Sequence, residues 1–588
     1  MQNTLLFDPP SVKVDVQFWK WLMGIKLDKQ MLKTDPIGIK AELSTGGMIT
    51  VGSQSEGTGE YSGAVYNLNT IEDFTSKGTV ARRQEMLESM VQQMKDDGAI
   101  EDMFKVLIIS FADLKSYKFS YNLAFPVLSP TVPLTIQNTS SHPSFIFFGS
   151  HSPVKAVFLA TVVDNPDSSI TIDAACLPSS SSAIICRTED DNPPWCVRNI
   201  IYFLSSRFSP DSIRLVLLRK NSAVNLTISP GSDWVLQPGW QKAGNSYTAT
   251  ADLRSLLDPA AMAADAVSLN VKLMKWRIVP ELRPDLFSEK KFLLLGAGTL
   301  GCSVARALIA WGVKHISFAD CGRVAFSNPV RQSLFTHADA VAGNFKAPTA
   351  AERLMEIVPS VESIGHVFEI PMPGHPQSMD GEGYDRLEEL IDEHDVVFLL
   401  TDSRESRWLP SVICAERGKL AVSVALGFDS FLVKLQQPAV SSCYFCNDVS
   451  APANSTSFRS LDMQCTVTRP GGSFIASAVA VEAVAAMFTH SSVNPGFSLM
   501  ETHTVLGALP DQVRGYLGSF RLEPAITSPF SRCVCCSDAI LAEYRSRGRD
   551  FVTAVAGDSK ELERLCSLDQ LKSAVDAQEV INFDSDDE

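Results

Sequence analysis

The hydrophobic positions of the chain change their period as it proceeds. Residues 15–32 place Phe18, Leu22 and Ile25 three and four positions apart, and residues 80–95 repeat that spacing with Met86, Leu87, Met90, Val91 and Met94. Both segments predict amphipathic helices. Between 105 and 128 the runs VLIISF, YKFSY and AFPVL, broken only by short polar stretches, predict antiparallel strands. Further strand-like runs lie at 144–163, 213–218 and 268–279, so the first half reads as mixed α+β. From residue 292 the texture differs. An apolar strand at 292–295 is followed by a helix at 302–311, a strand at 315–319, a helix at 347–357 and a strand at 396–400. This alternation predicts βαβ units around a parallel sheet, a Rossmann-like α/β fold. A polar loop after Asn447 leads to an Ala-rich helix at 473–488. The charged, proline-bearing stretch 280–291 separates the two textures. It divides the chain into an N-terminal domain at 1–280, a linker at 281–290, an α/β domain at 291–545 and an extension at 546–588.

Composition narrows the class. With 588 residues, 45% hydrophobic and 20% charged, the chain can bury several cores. Fifty-one basic against 67 acidic residues give a net charge of −16, which argues against a non-specific grip on nucleic acid or anionic lipid. The start, MQNTLLFDPPSVKVD, lacks the basic and apolar regions of a secretory signal. The greasy stretches 292–313 and 471–488 are interrupted by glycines with Arg306 and by Glu482 respectively, and so predict buried segments without an integral membrane span. A cytoplasmic protein is expected. In a reducing compartment, close pairs among its 13 cysteines point to metal or redox chemistry more than to disulfides. The last 13 residues, 576–588, hold six acids and no base, the composition of a solvated tail.

Residues 293–301 read LLLGAGTLG, a buried strand turning through Gly296, Gly298 and Gly301 into a helix, with Asp320 at the end of the next strand. The glycines let the backbone turn tightly and approach a phosphate, the helix N-terminus offers N–H donors, and the acid can bind a ribose hydroxyl. This fingerprint alone does not separate NAD from ATP. Asn328 and Arg331 in SNPVRQ, Lys346 in GNFKA and Asp402 in LLTDSRESRW favour ATP, because they supply two cations for phosphates and one carboxylate for magnesium. Adenylation must stabilise charge on the α-phosphate while pyrophosphate leaves, and a dehydrogenase needs no such clamp. No GxxxxGK[ST] string is present, which excludes a Walker-type loop.

Cys443 and Cys446 in CYFC, with Cys533 and Cys536 in CVCC, suit tetrahedral zinc, although buried thiols or a redox pair fit the same strings. Cys535 inside the second pair leaves the ligand assignment ambiguous. Four thiolates would leave no open position for water, so the zinc would be structural. Cys465, in DMQCTVTRPGG, lies outside both pairs. Arg469 and the start of the following helix favour a thiolate there, which makes Cys465 a candidate nucleophile that could receive an acyl group from an acyl-adenylate.

The ordered strings GAGTLGC, SNPVRQ, DSRESRWLP, ALGFDS, CYFC and QCTVTRPG, with FADLKSYKFSYNLAFP and MKWRIVP in the first half, resemble the homodimeric autophagy branch of the ubiquitin-activating enzyme superfamily. Nearly the whole chain takes part. The resemblance implies an N-terminal domain that recruits conjugating enzymes. It also implies a homodimeric C-terminal adenylation domain that binds ATP, Mg2+ and Zn2+ and activates ubiquitin-like modifiers of lipid-conjugated and protein-conjugated types. By motif match, Gly296, Gly298 and Gly301 lie beside ATP, Asp320 on the ribose, Asn328, Arg331 and Lys346 at the phosphates and Asp402 on magnesium. Cys443, Cys446, Cys533 and Cys536 hold zinc, and Cys465 forms a thioester. Two departures stand out: Phe345 replaces the family's usual proline before the lysine, and Phe7–Asp8–Pro9 stands where the family has Phe-Ala-Pro. The tail VINFDSDDE resembles a segment that captures the modifier, with Val580, Ile581 and Phe583 as apolar anchors. Two alternatives are a small-molecule nucleotide-dependent enzyme and a catalytically silent scaffold of the conjugation machinery. The leading domain with Cys465 disfavours the first, and the set Arg331, Lys346, Asp402 and Cys465 disfavours the second.

Overall fold

The computed structural model describes residues 4–9, 11–43, 48–52, 61–75, 77–96, 100–148, 156–175, 177–188, 190–437, 440–455, 467–489 and 503–576. The chain divides into two compact units, Met1–Leu257 and Asp258–Glu588.

The first unit is built on two seven-stranded sheets. One runs in the order Ser11–Val14, Met48–Gly52, Ile37–Leu43, Tyr61–Leu68, Lys105–Asp113, Lys118–Ala124 and Ala249–Asp252. The expected helices cover it. Val16–Ile25 starts at Asp15, whose carboxylate accepts from the Gln17 N–H, and buries Phe18, Trp19 and Leu22. Lys77–Asp96 carries Leu87 and Met90 into a core with Leu107 and Ile109 of the strand beneath. The other sheet takes the order Ile136–His142, Ala223–Ile228, Ile213–Leu218, Ala183–Arg187, Val157–Asp164, Ile170–Asp173 and Phe145–Phe147.

The second unit opens with helices α1 (Pro259–Arg277) and α2 (Pro284–Glu289). Residues 268–279, expected as a strand, are therefore mostly helical. Leu269, Val271 and Leu273 alternate with polar residues as a strand's would, yet the segment continues a helix already begun upstream. Asp258 accepts from the Ala261 N–H at 3.0 Å, and Pro259 occupies the first turn. Val267, Val271 and Met274, at helical spacing, then face the core.

An eight-stranded sheet follows. Its strands are β1 (Lys291–Leu295), β2 (His315–Ala319), β3 (Glu362–His366), β4 (Val396–Leu399), β5 (Leu420–Leu426), β6 (Ser430–Gln436), β7 (Gln512–Tyr516) and β8 (Arg521–Ala525), in the spatial order 3-2-1-4-5-6-7-8. Strands β3 to β5 in that order are parallel, and β6, β7 and β8 extend the sheet antiparallel. Burial on both faces explains why β1 reads as an unbroken apolar run. Phe292 and Leu294 point into one core with α3 (Thr299–Ala310), α4 (His337–Ala342) and α5 (Lys346–Ile357). Leu293 and Leu295 point into another with α6 (Gly383–Glu393) and α7 (Glu405–Arg417). The first core also takes α8 (Pro470–Phe488), which packs on α3, β5 and β6. Among the described residues α8 alone is long and apolar enough to cross a membrane, but 67% of its apolar window is buried against the sheet, as in a core helix. The strand order reverses between β1 and β4, so the loops leaving their C-terminal ends part to opposite sides. Ligands of open α/β sheets bind in the crevice that opens there.

Candidate nucleotide site and four-cysteine cluster

The glycine loop sits at that reversal. Gly296 leaves β1 with φ +111°, in the region that favours glycine, and a Cβ there would stand 3.1 Å from the Leu400 carbonyl carbon beyond β4. A Cβ on Gly301 would lie 2.1 Å from the Gly296 carbonyl oxygen, so the third glycine lets the helix close on the loop. Gly298 is the N-cap of α3, and among the described residues no side chain caps it. Its nearest neighbour is the Gln332 Nε2, 3.9 Å from an added Cβ, which leaves its outer face open. The first turn of α3 thus presents backbone N–H groups and positive dipole to the crevice. Gly301→Ala is expected to cost about 1–3 kcal/mol, because the backbone oxygen must move. A lower urea midpoint, with weakened nucleotide binding, is the measured outcome.

Asp320 follows β2 and is bound to the loop itself: its two oxygens accept from the Ala297 N–H at 2.8 Å and the Gly322 N–H at 2.7 Å. The carboxylate therefore fixes the loop while each oxygen keeps a second lone pair for a hydroxyl. Lys346 opens α5 and its backbone N–H donates to the Gly322 carbonyl at 2.9 Å. Its Nζ and the Asp320 Oδ1 both converge on Gly322, at 3.6 and 3.0 Å from where a Cβ would be. Phe345, in place of the expected proline, has φ −68°, the angle a proline would impose. The loop shape needs no proline, and the ring instead stacks under Arg323, whose guanidinium carbon is 3.7 Å from its centroid.

Asn328 is buried and uses its Oδ1 to accept from the Ala325 N–H at 2.9 Å, shaping the turn that carries Arg331. Arg331 is exposed and donates to the Ser327 carbonyl at 2.8 Å. Asp402 is exposed just beyond β4, two residues past the Leu400 carbonyl that abuts Gly296. Sequence reasoning passed over Gln332, a buried amide beside Gly298 whose Oε1 has no hydrogen-bond partner among the described residues. Its signal was present in the last letter of SNPVRQ. Cys465 lies outside the described residues, as do Val580, Ile581 and Phe583. The helix expected downstream of Cys465 begins at Pro470, with Arg469 as its N-cap and the Arg469 N–H donating to the Phe428 carbonyl at 2.9 Å.

The structure brings Cys443, Cys446, Cys533 and Cys536 together, with all four sulfurs within 4.8 Å of one another. The Cys443–Cys533, Cys446–Cys536 and Cys443–Cys446 sulfur distances are 3.5, 3.4 and 3.8 Å. Four thiolates about 2.3 Å from a zinc ion stand about 3.8 Å apart, so the set fits a tetrahedral metal. Cys535, the ambiguous residue of CVCC, is buried beside the cluster, its backbone N–H donating to the Cys533 sulfur at 3.4 Å, and is not one of the four. Burial pushes the Cys443 thiol well above its usual range, and hydrogen bonding from Cys443 holds Cys446 well below. Four thiolates this close would repel one another, and a cation is what would allow all four to ionise. Beside them Lys434 and Asp511 form a buried pair at 2.6 Å. The Lys434 ammonium also donates to the Ser442 Oγ at 2.6 Å and the Thr527 Oγ1 at 2.8 Å, which occupies all three of its protons.

Two residues of the DSRESRW string join the cluster to the nucleotide edge. The Arg407 side chain is buried, donates to the Thr401 carbonyl at 2.7 Å, the Val424 carbonyl at 3.0 Å and the Tyr444 hydroxyl at 2.9 Å, and lies over the Tyr444 ring. Burial pulls its guanidinium below the usual value, while the Tyr444 and Asp402 charges act the other way. The Trp408 Nε1 donates to the Val534 carbonyl at 2.8 Å.

Known proteins match the sequence of both units of the chain. The N-terminal family described as ubiquitin-like modifier-activating enzyme ATG7 N-terminus matches residues 5–156, and the ThiF family matches residues 270–508. Ubiquitin-like modifier-activating enzyme ATG7 of Pichia angusta is 38% identical over 557 residues, covering 90% of this chain and 86% of that one. The ATG7 enzyme of Dictyostelium discoideum is 32% identical over 687 residues, covering 97% and 96%. With its ThiF adenylation domain, ATG7-type N-terminus and this extent of identity, the chain belongs to the ATG7 family, ATP-using, E1-like enzymes that activate the ubiquitin-like modifiers of autophagy.

Proposed function

We propose that the chain catalyses three successive transfers on a ubiquitin-like modifier. In the first, the C-terminal glycine carboxylate of the modifier attacks the α-phosphorus of ATP, forming the acyl-adenylate and releasing pyrophosphate. In the second, the Cys465 thiolate attacks the acyl carbon; a thioester forms and AMP leaves. In the third, a cysteine thiolate of a conjugating enzyme takes the acyl group and Cys465 is regenerated.

The observation that carries this reading is an uncapped helix N-terminus on a glycine loop at the strand reversal, with Asp320 bound to that loop and Lys346 meeting Asp320 at Gly322. In it Gly296, Gly298 and Gly301 admit the phosphates against backbone N–H groups. Asp320 holds the ribose, while Asn328, Arg331 and Lys346 face the phosphates, where positive charge offsets what develops as pyrophosphate departs. Asp402 holds the magnesium that accompanies ATP. The four cysteines hold a structural zinc ion. The N-terminal unit recruits the conjugating enzymes, the enzyme works as a homodimer in the cytoplasm, and residues 576–588 capture the modifier by apolar anchors and acidic charge. Both lipid-conjugated and protein-conjugated modifiers are substrates.

The test is to incubate the full chain with MgATP and a ubiquitin-like autophagy modifier ending in glycine. Modifier-dependent ATP–pyrophosphate exchange and a thiol-sensitive adduct on a non-reducing gel are the expected results. Absence of both, with a modifier that a related enzyme activates, would overturn the reading in favour of a silent scaffold.

A further inference from the structure

The first turns of α7 touch both halves of the four-cysteine cluster and the nucleotide edge at once. Arg407 spans from the Thr401 carbonyl at the end of β4 to Tyr444, which lies between Cys443 and Cys446. Trp408, the next residue, holds the carbonyl of Val534, which lies between Cys533 and Cys536. Arg404 pairs with Asp448 and donates to the Ser450 carbonyl at 3.2 Å, just past the first cysteine pair. At the other end, the Thr401 nitrogen stands 3.2 Å from where a Gly296 Cβ would be, and Asp402 follows it directly.

We infer that the metal cluster and the nucleotide site are energetically coupled through Arg407, which is a positioning residue for the Thr401–Asp402 turn. The inference rests on the nucleotide reading above. Closing four thiolates on a metal fixes the backbone on either side of Tyr444 and Val534, and so fixes the two groups to which Arg407 and Trp408 are bound. Arg407 is buried, so its fork cannot exchange protein partners for water without leaving a charged donor unpaired. Its grip on the Thr401 carbonyl is therefore as firm as the Tyr444 end. When the cluster opens, the Tyr444 hydroxyl and ring move with it, and Arg407 loses the contact that aims it at the turn. A turn held in place presents Asp402 to the crevice at no ordering cost when nucleotide binds. Because such coupling is reciprocal, nucleotide must tighten metal by the factor by which metal tightens nucleotide.

The experiment measures the zinc dissociation constant of the full chain by competition with a chromophoric chelator, with and without saturating MgATP, magnesium being equal in both arms. MgATP affinity is then measured on zinc-loaded and zinc-stripped protein. MgATP is expected to raise zinc affinity at least about fivefold, and zinc to raise MgATP affinity by the same factor. In Arg407→Met the factor is expected to fall below about twofold. Tyr444→Phe, which keeps the ring and removes only the hydroxyl acceptor, is expected to do the same in a smaller measure, and it decides the matter if the buried Arg407→Met chain does not fold. A chain that binds MgATP with an affinity independent of zinc overturns the coupling and leaves the functional reading intact. A zinc-loaded chain that binds no MgATP overturns both.

Discussion

Cys465→Ala is expected to abolish the thiol-sensitive modifier adduct while leaving modifier-dependent ATP–pyrophosphate exchange within about twofold of the unchanged chain. The reason lies in the division of labour between the two steps. Adenylation needs groups at the strand reversal, and those converging on Gly322, Lys346 and Asp320, are supplied by β2 and α5. In the proposed scheme the second step needs a sulfur nucleophile, and Cys465 precedes α8 by five positions in the sequence; among the described residues no side chain caps the start of that helix at Pro470, which leaves its positive dipole free. Cys465→Ser sharpens the result. An oxygen nucleophile would give an adduct that survives thiol treatment, so conversion from a thiol-sensitive to a thiol-resistant band would name the attacking atom. Loss of exchange together with the adduct would assign Cys465 to the architecture of the site and remove it from the chemistry.

Lys346→Ala is expected to lower modifier-dependent exchange by about 10²- to 10³-fold, the range for deleting one preorganised group aimed at developing charge. Its Nζ stands near Gly322 and makes no ion pair with any described residue, which leaves the ammonium available for a phosphate. The backbone of residue 346 already makes its bond to the Gly322 carbonyl, and alanine keeps that bond and favours the helix. The thermal midpoint of the variant should therefore match that of the unchanged chain. A fall in exchange accompanied by a comparable loss of thermal stability would mean that the side chain supports the fold and not the phosphates.

The glycine loop was legible because two physical demands coincide in one string. A strand buried on both faces must read as continuous apolar residues, and a backbone that approaches a phosphate and then a helix must drop its Cβ at fixed positions. Gly296 and Gly301 meet the second demand by direct contact with neighbouring backbone. The cysteine pairs were equally visible, since thiolate spacing in a knuckle is local, although only folding shows which of Cys533, Cys535 and Cys536 turn inward. What escaped was long-range. That Arg407 would reach Tyr444, 37 positions away, or Trp408 reach Val534, 126 away, is written in no local period. Gln332 was hidden for the same reason, because its meaning comes from Gly298 and not from its neighbours in sequence. The error at 268–279 arose because alternate leucines and valines satisfy a strand's period and a helix's core stripe at once, and the deciding cap, Asp258, lies ten residues upstream.

The order in which the second unit can assemble during synthesis follows from where its contacts lie in the chain. The elements on which α8 packs most extensively, α3, β5 and β6, all precede it, so this apolar helix finds most of its cover as soon as it emerges. The four-cysteine cluster has no such luxury: Cys443 and Cys533 are separated by 90 positions. At about 5–20 residues per second, the first thiol pair waits about 5–18 s for the second. Until then Cys443 and Cys446 are an open two-thiol site on a growing polypeptide, and under the structural-zinc proposal metal capture is a closing event of biosynthesis. With zinc as the proposed occupant, cells short of it, or rich in oxidant, would meet this enzyme at its most exposed in that interval, before the finished fold has sealed the sulfurs away.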